Sequence, residues 1–300
     1  MNFLTQIPIK REERNPINYD SKLLLIGSCF SENIGEKLSY YKFQSKQNPF
    51  GILFHPKAIE HLVTNAINEK KYTEKDLIFQ NERWHCLDAH SSLSSVNKGE
   101  LLGNLNAALV TTKEQLEEAT HVIITLGTSW VYRFIETDAI VANCHKIPQK
   151  KFLKELLSVD EVSEILEGIT ILIKSINSSV NIIFTVSPIR HLKDGFVENT
   201  QSNGVHYFPS YEIMIDELRD YRFYNEDMIH PNKTAVNYIW NKFSSTWFNE
   251  ESQKIMQEIE TIQKGISHRP FNENSEQHQK FLKNLDLKIN KIKSKLPFIT

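Results

Sequence analysis

Three residues in this sequence have the types and the order that nucleophilic catalysis uses. Ser28 follows a glycine at the end of an apolar run, and Asp227 and His230 stand three positions apart much later in the chain. An aspartate and a histidine at that spacing can lie on one side of a single turn, so that the carboxylate orients the imidazole. The other ring nitrogen can then take a proton from a serine hydroxyl, while backbone N–H groups stabilise an oxyanion. The set predicts a Ser-His-Asp triad.

Each of these residues also has a simpler interpretation. A serine at the end of a strand is most often the cap of the next helix, and an isolated aspartate–histidine pair is most often structural. Cys29, next to Ser28, is a second possible nucleophile because a thiol at a helix N-terminus can be activated. A small buried side chain is the favoured interpretation of Cys29, since free cysteines are usually core residues. Only the combination of Ser28, Asp227 and His230 favours catalysis.

A cluster of histidines and an aspartate is a candidate metal site. His85, Asp88 and His90 follow the pattern H-x-x-D-x-H, and these side chains are ligands that zinc accepts. In a polar loop that also holds a tryptophan, such residues more often bind substrate or one another. A metal-dependent site is therefore the weakest of the functional hypotheses.

Four further side chains are candidates for contact with a substrate. Trp130 could stack on a sugar ring, although packing is the commoner role of a tryptophan in a hairpin. Arg190 and His191 place positive charge beyond a predicted strand end, where it suits a carboxylate or a phosphate unless the loop is simply solvated. His145 stands beside a cysteine, but neighbours on a strand point to opposite faces. We therefore expect His145 to line the pocket rather than to form a thiol–imidazole pair.

The elements that position these residues alternate between strands and helices. Apolar runs at residues 22–26, 121–126 and 181–186 predict buried strands, and periodic apolar residues between them predict helices. This alternation predicts a doubly wound α/β sheet of four or five mostly parallel strands. In such sheets the functional site lies beyond the carboxyl ends of the strands, and Ser28 directly follows one of them.

Two additions to this sheet are predicted. Residues 131–135 and 140–144 flank a polar turn and predict a β-hairpin insertion. After residue 248 the composition shifts to Lys, Glu, Gln and Asn, with isoleucines and leucines at helical spacing. We therefore expect an α/β domain over residues 1–248 and a helical hairpin over residues 249–300. The hairpin either packs on that domain or joins two copies as a homodimer.

The composition excludes several classes of partner. Of the 300 residues, 40% are hydrophobic and 24% are charged, so the chain is neither disordered nor of low complexity. A net charge of −2 provides no basic field for a nucleic acid or an anionic membrane. The apolar runs are too short for a membrane span, and no signal peptide is recognisable at the N-terminus. With only three cysteines, we expect a cytoplasmic protein.

The sequence resembles the GSCFA family in motifs that extend along nearly the whole chain. The name-giving run is Gly27-Ser28-Cys29-Phe30-Ser31, with serine where the family name has alanine. The other similar segments are residues 48–52, 126–132, 141–146, 186–195, 221–231 and 268–271. The family is in turn similar to the SGNH (GDSL-type) hydrolases, which hydrolyse acyl and carbohydrate esters on a flavodoxin-like sheet. That resemblance implies a serine hydrolase that acts on a small ester and needs no cofactor.

The same resemblance implies roles for individual residues. Ser28 matches the nucleophile, and Asp227 and His230 match the closing Asp-x-x-His block. An alignment that starts one position later would place Cys29 at the nucleophile position instead. Gly51 matches the glycine whose N–H group, with that of Ser28, stabilises the oxyanion.

One departure from the superfamily pattern affects the oxyanion site. The loop that begins at Gly127 has Ser129 where the superfamily has an asparagine, so the usual side-chain donor is missing. Asn48 or Asn143 could take its place. The departure supports an alternative hypothesis, in which the fold is kept for ligand binding or interaction and catalysis is lost.

The segment that connects the last two predicted strands shows no helical pattern. Parallel strands need a crossover of a dozen or more residues, normally a helix, but residues 187–204 are polar and contain proline and glycine. GSCFA sequences resemble one another in having a helix here. We therefore predict a deletion or gap at Ser202–Asn203.

Overall fold

The computed structural model of the protein describes residues 6–189 and 204–299. Arg190, His191 and the predicted gap at Ser202–Asn203 lie outside the described residues. These predictions remain open.

Ten strands and eight helices make up the described part of the chain. The strands are β1 (Lys22–Gly27), β2 (Gln44–Gln47), β3 (Leu77–Gln80), β4 (Arg83–Cys86), β5 (His121–Leu126), β6 (Trp130–Phe134), β7 (Ala139–Val141), β8 (Phe152–Leu156), β9 (Asn181–Val186) and β10 (Val205–Phe208). The helices are α1 (Cys29–Tyr40), α2 (Pro56–Ile67), α3 (Lys98–Glu118), α4 (Val159–Ile176), α5 (Ser210–Glu212), α6 (Lys233–Trp247), α7 (Glu250–Ile266) and α8 (Glu276–Lys295). A short π-helical turn, Ile213–Glu217, continues α5.

Five parallel strands form the central sheet in the order β2-β1-β5-β9-β10. Numbered within the sheet, this is the order 2-1-3-4-5 of flavodoxin-like folds. The polypeptide leaves β1 in one direction to form β2 and then crosses back to β5. The prediction of a mostly parallel α/β sheet with four or five strands is confirmed.

The two faces of the sheet are covered by different helices. Leu23 and Leu25 of β1 pack with side chains of α1 and α6, whereas Leu24 and Ile26 pack with side chains of α2, α3 and α4. Successive residues of a strand point to opposite faces, so an uninterrupted apolar strand must be buried on both sides. This arrangement leaves the carboxyl edge of the strands for polar groups.

Helix caps explain where the site-forming helix begins. Helix α1 starts at Cys29 because Ser28 is its N-cap. Helix α4 begins with a capping box, in which Ser158 and Glu161 exchange hydrogen bonds between side chains and backbone. Such caps satisfy N–H groups that have no partner within the helix.

The predicted hairpin insertion is part of a larger sheet. Strands β6 and β7 pair antiparallel, and β8 pairs with the other edge of β6. The second strand of the hairpin ends at Val141, not at residue 144 as expected, so Cys144 and His145 lie in a loop. A further antiparallel pair, β3 and β4, lies between α2 and α3.

The last two helices pack on one another and on the α1–α6 side of the sheet. Their buried residues Ile255, Ile259, Leu285 and Ile292 belong to the same apolar cluster as Leu25. The division of the chain at residue 248 and a homodimer through these helices remain predictions. Within residues 6–189 and 204–299, no helix is both long and apolar enough to cross a membrane.

Candidate functional site

Ser28 occupies the junction between β1 and α1, at the carboxyl edge of the central sheet. Gly27 precedes it with a φ of +139°, and a Cβ at Gly27 would lie 2.1 Å from the carbonyl oxygen of Thr125. Only glycine fits this close approach of two strands. The Ser28 hydroxyl accepts a hydrogen bond from Phe30 N at 3.3 Å, and the residue is fully buried. In this conformation the proposed nucleophile serves as a helix cap.

Asp227 and His230 form the pair that the sequence predicted. His230 Nδ1 lies 2.6 Å from Asp227 Oδ2, while Asp227 Oδ1 accepts hydrogen bonds from the backbone N–H groups of Ile229 and His230. These N–H groups, with the imidazole, lower the pKa of Asp227 to about 2. An ionised carboxylate requires a proton on Nδ1, so the Nε2 atom of neutral His230 is a proton acceptor. About half of each side chain is exposed.

The serine and the histidine are not hydrogen-bonded to each other. Within the described residues, the Ser28 hydroxyl bonds only to Phe30 N, and the imidazole of His230 bonds only to Asp227. The structure therefore brings Asp227 and His230 together and places Ser28 at a strand end, without a hydrogen bond between Ser28 and His230.

The two backbone donors expected for the oxyanion are both occupied. Ser28 N donates to the carbonyl of Thr125 at 3.0 Å, and Gly51 N donates to the carbonyl of Asn48 at 2.8 Å. The first bond continues the pairing of β1 with β5, and the second closes a tight turn. In this conformation both N–H groups therefore already have partners, and their role at an oxyanion stays a prediction.

The loop after β5 lies directly against Ser28. A Cβ at Gly127 would lie 3.3 Å from Ser28 Cβ and 3.0 Å from the carbonyl oxygen of Phe54. Ser129 and Trp130 follow, and Trp130 opens β6. The indole of Trp130 has the Lys154 ammonium 4.0 Å from its ring centroid, so a cation–π contact with the protein already occupies it. The backbone at Gly127 thus passes close to the side chain of Ser28.

Asn143 and His145 tie their loop to the β3–β4 region. Asn143 Oδ1 accepts a hydrogen bond from His145 N. The ring of His145 lies 2.7 Å from the carbonyl of Cys86 through Nε2 and 3.0 Å from the Ser91 hydroxyl through Nδ1. It also packs against His85, with the ring centroids 4.5 Å apart and the ring planes tilted by 33°. His145 is thus buried, and both of its ring nitrogens have hydrogen-bond partners within the protein, so neither is available to a substrate in this conformation.

The candidate metal ligands each hydrogen-bond to different partners within the protein. Both ring nitrogens of His85 have partners, the Ser94 hydroxyl and the Gln80 carbonyl. Asp88 accepts a hydrogen bond from the Tyr72 hydroxyl, and His90 caps a short 3₁₀ turn. In the part of the chain that the structure describes, no three His, Cys, Asp or Glu side chains are grouped to hold a metal ion. The structure does not bring the predicted cluster together.

A row of buried hydroxyl groups below the strand ends was not predicted from the sequence. The Ser31 hydroxyl donates to Thr125 Oγ1 at 2.9 Å, and the Thr185 hydroxyl lies 2.6 Å from that of Ser210. Thr125 and Thr185 are paired in register. Threonine at the same late position of two adjacent buried strands was the available signal. The row gives the apolar sheet a polar layer beneath Ser28.

The buried imidazole of His145 predicts a loss of stability in acid. Burial lowers the pKa of His145 to about 4, whereas the unfolded chain binds a proton below about pH 6.5. The folded state is therefore penalised as the pH falls from about 6.5 towards 4, by about 2 to 3 kcal/mol at pH 4.5. Asparagine tolerates the φ of +46° at this position. Between pH 7.5 and 4.5, measured by urea titration, the free energy of unfolding of His145→Asn should therefore fall by about 2 to 3 kcal/mol less than that of the wild type.

His268→Asn is the control for this experiment, because His268 is exposed. This variant should follow the wild-type pH dependence. An unchanged acid dependence in His145→Asn would show that the ring is protonated in the folded state.

Two family models match the chain. The GSCFA family matches residues 22–243, a range that includes the central sheet, Ser28, Asp227 and His230. The GSCFA domain protein, C-terminal domain, matches residues 259–300, which include the end of α7 and all of α8. No curated protein and no solved structure matches the chain.

Proposed function

The chain belongs to the GSCFA family, and we propose that it is a serine hydrolase that cleaves a small acyl or carbohydrate ester. The observation that carries the proposal is the Asp227–His230 hydrogen bond at 2.6 Å. It fixes the tautomer that a general base needs, with Nε2 free to accept a proton. The similarity of GSCFA sequences to SGNH hydrolases supports the same function. So does the position of Ser28 after the first strand of a sheet with flavodoxin-like order.

The reaction uses only side chains of this protein. The Ser28 oxygen attacks the ester carbonyl carbon, its proton passes to Nε2 of His230, and the carbonyl electrons move to the oxygen. Their return breaks the bond to the alcohol, which leaves with the proton from His230. Water then attacks the acyl-enzyme in the same way, releasing the acid and restoring Ser28. Before attack, Ser28 must give up its cap bond to Phe30, at a cost of about 1 kcal/mol.

Ser28 is the better nucleophile of the two adjacent candidates. Burial and the nearby Glu32 carboxylate raise the pKa of the Cys29 thiol. Reactive cysteines need a lowered pKa, because the thiolate is the nucleophile. A serine needs no such shift when a histidine accepts its proton during attack. The proposal therefore assigns acylation to Ser28.

A cytoplasmic location is part of the proposal. Cys29, Cys86 and Cys144 are all free thiols in the structure. Unpaired cysteines are typical of a reducing compartment. The proposed substrate is accordingly a small intracellular ester.

Labelling with a fluorophosphonate probe tests the proposal. Such a probe phosphonylates activated serines, and peptide mapping by mass spectrometry then identifies the modified residue. We expect modification of Ser28, together with hydrolysis of short acyl esters such as 4-nitrophenyl acetate. A folded protein with neither labelling nor esterase activity would contradict the proposal.

The second candidate function is ligand binding without catalysis. It is favoured by the complete burial of Ser28 and by the engagement of its N–H group with Thr125. Under this hypothesis Ser28 is only a helix cap, and Asp227 and His230 stabilise their own loop. An inert protein in the labelling experiment supports this function, whereas modification of Ser28 excludes it.

A further inference from the structure

Asn48 is held in an unusual conformation next to the proposed nucleophile. Its φ is +42°, a left-handed backbone conformation that asparagine tolerates better than most residues. Its side-chain oxygen accepts a hydrogen bond from Gly27 N at 2.9 Å, and its backbone N–H donates to the carbonyl of Leu25. The amide group is thereby fixed within one peptide unit of Ser28.

The other half of this amide has no partner. The side chain is nine-tenths buried, with 9% of the residue exposed, and its Nδ2 atom makes no hydrogen bond. Leaving a buried donor unpaired is unfavourable, and each such case in a native protein calls for an explanation. Because the oxygen is anchored to Gly27, the amide cannot turn round to satisfy its nitrogen without losing that bond.

We propose that Asn48 Nδ2 donates a hydrogen bond to the oxyanion that forms when Ser28 attacks an ester, an inference that rests on the proposed function. Ser28 N and Gly51 N are bound to carbonyl groups, so in this conformation neither is available to an incoming oxygen. The Asn48 amide is held through its oxygen by the N–H of Gly27, the residue before Ser28, and its nitrogen has no partner. Preorganised donors of this kind act mainly on the transition state.

Asn48→Asp is the most selective test. Aspartate keeps the acceptor for Gly27 N and tolerates the same backbone conformation, but it replaces the donor with a second oxygen. With 4-nitrophenyl acetate at pH 8, well above the ordinary pKa of an aspartate, we expect kcat to fall about 10²- to 10³-fold with little change in KM. The rate of fluorophosphonate labelling should fall in parallel, since that reaction also places charge on an oxygen near Ser28.

Asn249→Asp is the matched control. Asn249 caps α7 through its side-chain oxygen, so the substitution again keeps an acceptor and removes an amide donor. It should leave kcat, KM and the labelling rate unchanged. If Asn48→Asp does not fold, Asn48→Gly replaces it, because glycine adopts positive φ without strain and also removes the donor.

The possible outcomes separate the two proposals. A wild-type protein that neither labels nor hydrolyses esters overturns the proposed function, and the role of Asn48 with it. If the wild type is reactive and the folded Asn48 variant has a kcat within threefold of it, only the role of Asn48 is overturned. A raised KM with unchanged kcat also overturns it, because a ground-state contact would then be the one lost. Only a selective loss of kcat supports the oxyanion role.

Discussion

Replacement of Ser28 by alanine is expected to lower kcat for 4-nitrophenyl acetate by about 10⁴-fold or more and to abolish fluorophosphonate labelling. Alanine has no oxygen to form the acyl-enzyme, so the remaining activity comes from binding and from His230 acting on water. The variant should keep its fold, because the side chain is small and forms one 3.3 Å hydrogen bond. Circular dichroism and thermal melting check this point.

The loss of a helix cap must be separated from the loss of a nucleophile. Ser28→Ala removes the N-cap of α1 and is expected to destabilise the protein by about 1 kcal/mol. Ser275→Ala is the matched control, since the Ser275 hydroxyl caps α8 through His278 N. It should lower the melting temperature in the same way and leave labelling intact. Labelling that persists in Ser28→Ala would assign the chemistry elsewhere, and Cys29→Ala would then be the next variant.

Asp227→Asn is expected to lower kcat by about 10⁴-fold while the loop keeps its shape. An asparagine oxygen can still accept from the N–H groups of Ile229 and His230, but its NH₂ group would face Nδ1 of His230. The imidazole would then carry its proton on Nε2, where it cannot accept one from Ser28. Since the pKa of Asp227 is lowered to about 2, the wild-type carboxylate is charged throughout pH 5–9, and we expect this defect across that range.

Asp220→Asn provides the control for Asp227→Asn. Asp220 caps a neighbouring turn through Arg222 N and pairs with the Arg222 guanidinium, and it is exposed to a similar degree as Asp227. Its substitution changes the same charge nearby without reaching His230. A kcat for Asp227→Asn within tenfold of wild type would show that the pair only stabilises its loop.

The sheet and most helices follow from local sequence. β1, β5 and β9 lie where apolar runs predicted them, because a strand covered on both faces needs an unbroken run of apolar residues. The capping box of Ser158 and Glu161 marks the start of α4. Strand β8 was not predicted, because the sequence of residues 152–156 alternates only weakly between buried and exposed positions. The strand is defined by its pairing with β6, which is distant in sequence.

The candidate site was predictable where its contacts are local. Asp227 and His230 are three residues apart, so the turn that joins them also brings their side chains together. The role of His145 was not predictable in the same way. Its partner Cys86 is 59 positions away in the chain, and no pattern around either residue specifies that contact.

The sequence by itself determined which residues could do chemistry, the order of Ser28, Asp227 and His230 along the chain, and the strand end that carries the serine. These depend on residue type and on hydrophobic periodicity, which are local properties. The tertiary structure alone decided which donors are available. Strand pairing and a tight turn use the N–H groups of Ser28 and Gly51, while the Asn48 amide is left buried without a partner. Such assignments depend on backbone groups distant in sequence, because every buried N–H competes for the nearest carbonyl.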